Sequence, residues 1–165
     1  MPKAYFVLMI HNEEDAIPSV LASIMSAELP ARYERRILAV NDGSADESQA
    51  LLERAAQSLP LQIIFYPTRQ GMPASFRGAF KHLEPHLTDE DIVFTMEADA
   101  TNDIACVAPM VHEIEQGADV VIASRYAPGA MSIGFPWYRL WGSTIINTFL
   151  RLLWNVPNVT DCSVL

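Results

Sequence analysis

The chain has 165 residues, of which 50% are hydrophobic and 19% charged, with a net charge of −9 and an isoelectric point near 4.8. This composition is typical of one globular domain with a full core, and it excludes a disordered chain. The acidic balance also argues against a general nucleic-acid binder, whose binding face is basic. An anionic ligand is still allowed, because a bound metal and a few arginines can reverse the local charge.

Cysteine usage and the N-terminus both favour a cytoplasmic protein. Cys106 and Cys162 lack the spacing of metal ligands and are typical of reduced thiols. No signal peptide precedes the first strand pattern, and no run reaches the roughly 18 apolar residues that a membrane-spanning helix needs.

Short apolar runs predict five strands, and the first is long and unbroken enough to be buried on both faces, as in a parallel sheet. The predicted strands are Ala4–Ile10, Arg36–Val40, Leu61–Tyr66, Asp91–Met96 and Ala118–Ala123.

Between and after these runs, apolar residues at helical spacing predict helices. The predicted helices are Ile17 to about Ala27, Glu47–Leu59, Pro73–Leu83, Ile104–Gln116 and Pro136–Trp154. Strands that alternate with helices predict an α/β fold with a mostly parallel sheet flanked by helices. We see no internal repeat and no domain boundary, so we expect a single domain.

Polar residues follow the predicted strands at their carboxyl ends, and parallel strands bring these ends to one edge of the sheet. Glu97 and Asp99 lie two residues apart after the fourth strand, so their side chains are expected on the same side. Two such carboxylates can hold a hard cation, Mg²⁺ or Mn²⁺. The convergence of strand ends favours a site over the alternative that the pair only solvates a loop.

The last predicted helix, Pro136–Trp154, is apolar nearly all round. Burial in a core or an oligomer contact explains such a helix, and so does a membrane interface with arginine heads in water.

Six short motifs occur in a fixed order along nearly the whole chain. They are Val7 to Glu14, Val40 to Asp46, Met96 to Asp99, Gly117 to Tyr126, Trp137 to Ser143 and Val159 to Ser163. In this order and spacing they resemble the catalytic domain of inverting family 2 glycosyltransferases with the GT-A (Rossmann-like) fold. The resemblance is nearest to the dolichyl-phosphate mannosyltransferases and bacterial polyprenyl-phosphate glycosyltransferases.

The resemblance implies a hexosyltransferase. It would move a sugar from a nucleotide-diphosphate sugar to a polyprenyl phosphate, dolichyl or undecaprenyl, with Mg²⁺ or Mn²⁺ as cofactor. The nucleotide sugar would be bound by Asn12, Glu13, Asn41, Asp42 and Glu97. The metal would be held by Glu97, Asp99 and Thr101.

On the acceptor side, the resemblance implies phosphate contacts from Arg125, Arg139, Ser143 and Asp161. Asp99, Arg125 and Arg139 would carry catalysis. Alternatives remain from the residues themselves: Asp42 can belong to a turn that caps a helix, Arg139 can snorkel, and Asp161 can orient a loop.

The chain departs from the family pattern at Met9, His11, Asn41 and Glu97, where proline, an aromatic residue and two aspartates are usual. It also ends at Leu165, where the family continues, so we expect a core truncated at its C-terminus.

Other functions compatible with the motifs are transfer to a saccharide or other hydroxyl acceptor, and a non-catalytic nucleotide-sugar-binding module. A nicotinamide-dependent dehydrogenase is disfavoured, because no Gly-x-Gly-x-x-Gly follows the first strand. We therefore expect a cytoplasmic protein at the periphery of a membrane.

Overall fold

Four parallel strands form one sheet in the computed structural model, which describes residues 1–124, 148–149 and 153. The order across the sheet is β3-β2-β1-β4. The strands are β1 (Lys3–Ile10), β2 (Glu34–Asp42), β3 (Leu61–Tyr66) and β4 (Ile92–Glu97). β1 is central and is buried along all but its first residue. That burial explains its continuous apolar sequence, because both faces of a central parallel strand are covered.

The register aligns the carboxyl ends of the strands at one edge of the sheet. Met9 lies opposite Glu97 in the β1–β4 pair, and Ile10 lies opposite Asn41 in the β1–β2 pair. Asp42, the last residue of β2, lies opposite Tyr66, the last residue of β3. The four strands therefore end close to one another, and the loops that follow them share this edge.

Four α-helices accompany the strands in the described part of the chain. They are α1 (Ile17–Ser26), α2 (Ser48–Ala56), α3 (Met72–Leu83) and α4 (Val107–Glu115). The chain moves in one direction from β1 to β3 and then returns across the sheet to β4. Right-handed crossovers therefore put α1 and α2 on one face and α3 on the other.

The face under α3 carries its own hydrophobic cluster. Ala79 and Leu83 of α3 are buried in it together with Tyr5, Val7 and Leu38 of the sheet. This packing fixes α3 against the sheet and so fixes where the helix begins, next to the carboxyl ends of the strands.

The helix predicted over Ile104–Gln116 is confirmed, with a different first turn. A 3₁₀ turn at Ile104–Cys106 precedes α4, and the Asp103 side chain accepts a hydrogen bond from the Ala105 N–H at 3.0 Å. The helix ends at Glu115, and Gly117 follows it with a φ of 102°, which glycine adopts without strain.

The predicted fifth strand, Ala118–Ala123, is wrong. Residues 118–124 contain no strand, and Val120 is 75% exposed. An apolar run becomes a strand only when a neighbouring strand satisfies its backbone N–H and C=O groups. No described strand pairs with this segment.

The chain divides into two compact units, residues 1–111 and residues 112–165. The predicted helix Pro136–Trp154 lies largely outside the described residues, although Thr148, Phe149 and Leu153 are helical. Phe149 and Leu153 are 63% and 61% exposed. Within the described ranges, no helix combines the length and the apolar character needed to cross a bilayer.

Candidate functional site

The loop after β1 is tied to the loop after β2 through Asn12. Its backbone N–H donates to Ser44 Oγ at 3.0 Å, and its Oδ1 accepts the N–H of Ala45 at 2.8 Å. Asn12 has a φ of 58°, a left-handed conformation that asparagine tolerates better than most residues. The residue is exposed, and its amide nitrogen lies 3.5 Å from His11 Nε2.

Asp46 and Ser48 make a second tie between these loops. The N–H of Glu13 donates to Ser48 Oγ at 3.0 Å, and the N–H of Glu14 donates to Asp46 Oδ2 at 3.1 Å. Asp46 Oδ1 accepts the N–H of Ser48, the first residue of α2, at 3.0 Å. Burial alone would raise the pKa of Asp46, but the hydrogen bonds from Ser48 and Glu14 lower it overall.

Asp42 holds the loop that leads into α3. Its carboxylate is buried, and its two oxygens accept the backbone N–H groups of Gln70 at 2.6 Å and Gly71 at 2.8 Å. A Cβ on the neighbouring Gly43 would lie 2.4 Å from the backbone nitrogen of Arg69, so this loop lies directly on Gly43. Each carboxylate oxygen has a second acceptor position left for another donor.

Asn41 stands where the family motif has aspartate, and its amide is bonded within the protein. The residue is fully buried, with Nδ2 donating to Gln49 Oε1 at 2.9 Å and Oδ1 accepting the N–H of Ser44 at 3.0 Å. Gln49 in turn donates from Nε2 to Glu53 Oε1 at 2.8 Å. Asn41 therefore shapes the turn after β2 and links it to α2.

His11 adds a contact between the ends of β1 and β2. Its Nδ1 lies 2.8 Å from the carbonyl oxygen of Asp42. Because a carbonyl only accepts, Nδ1 carries the hydrogen of this bond. The bond fixes the orientation of the imidazole at the edge of the sheet.

Glu97 is the last residue of β4, and Asp99 follows it after the buried Ala98. Glu97 is exposed and Asp99 is half-buried. Asp99 Oδ1 accepts both the N–H of Thr101 at 3.0 Å and its hydroxyl at 2.8 Å. The turn is closed by Asn102 Nδ2, which donates to the carbonyl of Glu97 at 3.1 Å.

The acidic groups of three loops share one electrostatic field. The pKa of Glu13 is raised, first by burial and then by repulsion from Asp99, Asp46 and Glu97, while His11 opposes the shift. A carboxyl group at the end of β1 therefore senses both carboxylates at the end of β4. Glu97 lies opposite Met9 in the β1–β4 pair, so Glu13, Glu97 and Asp99 all lie at the same edge of the sheet.

The donor set of this region fits a cation shared with a phosphate ligand. No cluster of three or more histidines, cysteines, aspartates and glutamates in the described ranges is arranged to hold a metal alone. Glu97, Asp99 and the hydroxyl of Thr101 offer oxygen donors, which Mg²⁺ and Mn²⁺ prefer. Mg²⁺ in proteins is commonly held by one or two carboxylates together with substrate phosphates.

A shallow cleft of about 280 Å³ borders Glu97 on the side of α1. Ser19 and Ser23 of α1 form one wall, and Asn102 and Asp103 form the other. Its volume is below the roughly 300–1,000 Å³ that is typical of ligand pockets, so we assign it no ligand.

The structure therefore brings six of the predicted residues to one edge and leaves four outside its described part. Asn12, Glu13, Asn41, Asp42, Glu97 and Asp99 lie at the strand ends, with Thr101 bonded to Asp99. Arg125, Arg139, Ser143 and Asp161 lie outside the described residues.

Sequence reasoning missed Ser48, Gln70 and Gly71, which hold the loops together. For Ser48, the spacing Asp46-x-Ser48 before a helix is a signal that could have found it. For Gly71, a glycine next to the first turn of a helix was a weaker signal.

The sequence was compared with models of known protein families. The model described as "Glycosyl transferase family 2" matches residues 5–164, which is nearly the whole chain.

Two curated relatives are similar over most of this chain. Undecaprenyl-phosphate 4-deoxy-4-formamido-L-arabinose transferase of Pseudomonas fluorescens (strain Pf0-1) is 32% identical over 117 residues, which cover 70% of this chain and 33% of the relative. Polyprenol monophosphomannose synthase of Mycolicibacterium smegmatis is 27% identical over 152 residues, which cover 91% of this chain and 55% of the relative. The chain thus spans between 33% and 55% of the length of these relatives.

Solved structures with a similar fold include TarS 1–349 of S. aureus in complex with UDP. It has a TM-score of 0.56 and 20% identity, and the match covers 69% of this chain and 32% of that one. The mannosyltransferase PcManGT of Pyrobaculum calidifontis, in complex with GDP-Man and Mn²⁺, has a TM-score of 0.50 and 22% identity, covering 59% and 28%. The expected GT-A fold, a mostly parallel sheet flanked by helices, is confirmed.

Proposed function

This chain belongs to glycosyl transferase family 2, and on that premise we propose that it is the nucleotide-sugar-binding core of an inverting, metal-dependent glycosyltransferase. The donor is a nucleotide-diphosphate sugar, and the acceptor is a polyprenyl phosphate such as undecaprenyl or dolichyl phosphate. The names of two relatives, which refer to undecaprenyl phosphate and to polyprenol, support this acceptor class. Because the chain spans only part of their length, its activity, substrates and partners all belong to this proposal.

The observation that carries the proposal is the acidic region at the sheet edge. Burial raises the pKa of Glu13, and the negative charges of Asp99, Asp46 and Glu97 raise it further. Carboxylates held in mutual repulsion are unfavourable unless a cation reduces that repulsion. A nucleotide diphosphate chelated to a divalent cation supplies such a charge and has the shape to lie along the strand ends.

Glu97, Asp99 and the hydroxyl of Thr101 would hold this Mg²⁺ or Mn²⁺. When bound, the ion would stabilise the negative charge on the departing nucleotide diphosphate. The carboxylates keep the sheet edge acidic and select for a cation in this position.

For the base and the ribose, we assign direct contacts to the more accessible residues of the two linked loops. Asn12 is exposed and Glu13 is half-buried, so both can reach a ligand. Asn41 and Asp42 are buried and bonded to the turn after β2 and to the loop before α3. They act mainly by shaping the walls, and Asp42 keeps acceptor capacity for a ribose hydroxyl or a base N–H.

The reaction is a single displacement at the anomeric carbon. An oxygen of the acceptor phosphate forms the new bond as the bond to the nucleotide diphosphate breaks, and the nucleotide leaves with the electron pair. A phosphate monoester is already anionic, so it needs no general base, unlike a sugar hydroxyl. Contacts of Arg125, Arg139, Ser143 and Asp161 with the phosphates remain predictions, with guanidinium suited to phosphate by its paired donors.

Calorimetric titration tests the donor half of the proposal. UDP- and GDP-sugars are titrated into the wild type with and without Mn²⁺, and then into Asp99→Ala and Glu97→Ala. We expect Mn²⁺ to strengthen binding about tenfold or more, and Asp99→Ala to remove that gain, as expected for loss of about 1.4 kcal/mol. Asp89→Ala is the matched control, because Asp89 is an exposed carboxylate in the loop before β4. Binding that is absent, or indifferent to Mn²⁺, would show that the metal assignment is wrong.

Transfer assays test the acceptor half. A radiolabelled sugar is offered with undecaprenyl phosphate or with a saccharide acceptor, and Arg139→Ala should reduce lipid transfer more than donor binding. Donor binding without transfer to either acceptor would identify a non-catalytic binding module. The observation that favours a non-catalytic binding module is the neutral Asn41 at a position where the family has aspartate.

A further inference from the structure

Two long stretches of this acidic chain have no acidic residue, 54–83 and 120–160, and the first lies wholly within the part that the structure describes. The chain has 20 aspartates and glutamates against 11 lysines and arginines, yet none of the 20 lies between Glu53 and Glu84. Two of the basic residues in this interval, Arg77 and Lys81, lie on α3. The helix therefore carries a positive charge that the chain as a whole does not have.

The positive charges lie on the side of α3 that faces away from the sheet. Ser75, Ala79 and Leu83 form its buried side, at a spacing of four residues. The exposed residues on the opposite side, which we call the α3 outer face, are Pro73, Arg77, Phe80 and Lys81.

The α3 outer face combines an aromatic side chain with unpaired cations. Phe80 is 44% exposed, and Met72 at the start of the helix is 43% exposed. Neither Arg77 nor Lys81 forms an ion pair with any residue in the described part of the chain. Glu84 is the first acidic residue beyond this face and marks its end.

The face begins at the candidate site. The N–H of Gly71, the residue before α3, is bonded to Asp42 at the sheet edge. Twelve helical residues extend about 18 Å at 1.5 Å each, so the face runs from that edge along the flank of the unit.

We propose that the α3 outer face docks onto an anionic lipid surface. Exposed aromatic side chains beside lysine and arginine are typical of helices that lie at a membrane interface. Basic residues gain free energy near anionic headgroups, and at physiological ionic strength charges beyond about 8 Å are screened, so the local charge outweighs the net charge. The inference rests on the proposed function, because a polyprenyl-phosphate acceptor is held in a bilayer and must reach the edge where α3 begins.

Vesicle sedimentation of the full chain tests this face. Binding is measured to vesicles of phosphatidylcholine alone and of phosphatidylcholine mixed with phosphatidylglycerol. We expect binding to the mixed vesicles, weakened about fivefold by Arg77→Gln and further by Arg77→Gln/Lys81→Gln, in line with the free energy of one basic residue near an anionic leaflet. Phe80→Ser should also weaken it. Arg54→Gln on α2 is the matched control, since Arg54 is an exposed arginine on the opposite face of the sheet.

The proposal is overturned if the wild type does not bind the mixed vesicles, or binds both kinds equally. It is also overturned if Arg54→Gln weakens binding as much as Arg77→Gln. Equal effects would indicate that binding depends on the total charge of the protein and not on the α3 outer face. Self-association that Phe80→Ser abolishes, measured by sedimentation velocity without lipid, would assign the face to a second copy of the chain instead. All the substituted residues are exposed, so circular dichroism should show unchanged folding. Calorimetry with the nucleotide sugar tests the proposed function separately. Failure of the lipid-docking proposal is therefore distinguishable from failure of the proposed function.

Discussion

The carboxylate of Asp42 accepts the backbone N–H of Gly71 at 2.8 Å, across 29 residues of sequence. Through this bond, the residue that ends β2 fixes the residue that precedes α3. The position of the loop at the sheet edge thus depends on a buried side chain and not only on the loop's own sequence. It also means that Asp42 contributes to the site before any ligand is present.

Asp42→Ala should destabilise the chain by about 2 kcal/mol or more, because it removes the acceptor of two backbone N–H groups in a buried position. The free energy of unfolding in urea measures this change. Asp89→Ala removes an exposed carboxylate and should change stability by less than about 0.5 kcal/mol. Equal effects from the two variants would show that the bonds to Gln70 and Gly71 contribute nothing to stability.

Gly43→Ala should be more damaging than Gly117→Ala. Gly43 has a φ of 67°, and its added Cβ would lie 2.4 Å from the backbone nitrogen of Arg69. Gly117 also has a positive φ, of 102°, but has no atom within 4 Å of such a Cβ. Gly117→Ala therefore measures the conformational cost alone, about 1 kcal/mol, and Gly43→Ala should cost at least twice as much. A similar loss for both would mean that the loop moves away from Gly43 at no cost.

The strands that could be predicted from the sequence are those whose burial leaves a local pattern. β3 has the predicted bounds, and β1 is buried almost throughout, which its apolar run indicated. β2 extends beyond the predicted Arg36–Val40 at both ends, because its pairing with β1 continues from Glu34 to Asn41. That pairing depends on a neighbour, so it leaves no signal in the local composition.

The prediction of a fifth strand was wrong for a related reason, which is that pairing depends on a neighbouring strand. The run Ala118–Ala123 has the composition of a strand, but composition does not supply a partner for the backbone hydrogen bonds. A run of this kind becomes a strand only through contacts with distant segments, and a single sequence does not contain the geometry of those contacts.

The position of the candidate site in the fold could be predicted from the sequence, but its hydrogen bonds could not. The position of Asp42 at a strand end follows from the order of strands and helices. Its bonds to Gln70 and Gly71 depend on where the loop after β3 passes, 28 residues further along the chain. The fully buried Asn41 is similar, since its pairing with Gln49 requires the first turns of α2 to be in place. Roles assigned to Asn41 and Asp42 from the motif alone therefore omit the hydrogen bonds by which both residues hold the loops in place.

Asp46→Asn should lower stability at neutral pH and have little effect in acid. The pKa of Asp46 lies below its ordinary value of 3.8, because hydrogen bonds from Ser48 and Glu14 outweigh the effect of burial. A lowered pKa in the folded state gives stability that is present above the unfolded pKa and is lost as the pH falls through the folded pKa. At pH 7 we expect a loss of stability, because asparagine has one acceptor oxygen for the two N–H groups of Glu14 and Ser48 and carries no charge.

Urea unfolding of wild type and Asp46→Asn at several pH values measures this effect. The difference between the two proteins should shrink below pH 3.8, the ordinary value for the residue. A difference that stays constant from pH 7 to pH 3 would show that the charge of the Asp46 carboxylate does not strengthen its hydrogen bonds to Glu14 and Ser48.

Glu13→Gln should stabilise the protein without metal at neutral pH, which is the opposite of the effect expected at Asp46. Burial and repulsion from Asp99, Asp46 and Glu97 raise the pKa of Glu13 above its ordinary value of 4.5. A raised pKa in the folded state means that the charged form is the less favourable one there. Relative to the unfolded chain, stability is greatest below pH 4.5 and is lost as the pH rises through the folded pKa. Glutamine avoids this loss, so its gain appears above the folded pKa and vanishes in acid.

The same substitution distinguishes simple repulsion from a cation site. Thermal unfolding of wild type and Glu13→Gln is compared at pH 7.5 and pH 4, with and without Mn²⁺, with Glu90→Gln as the control at an exposed glutamate. A cation held by Glu97 and Asp99 lowers the repulsion that Glu13 feels, so Mn²⁺ should reduce the gain from Glu13→Gln at pH 7.5. The reduction should be absent in Asp99→Ala, where the cation loses its main ligand. If Mn²⁺ leaves the gain unchanged, the repulsion among these carboxylates is a property of the fold and not the basis of a metal site.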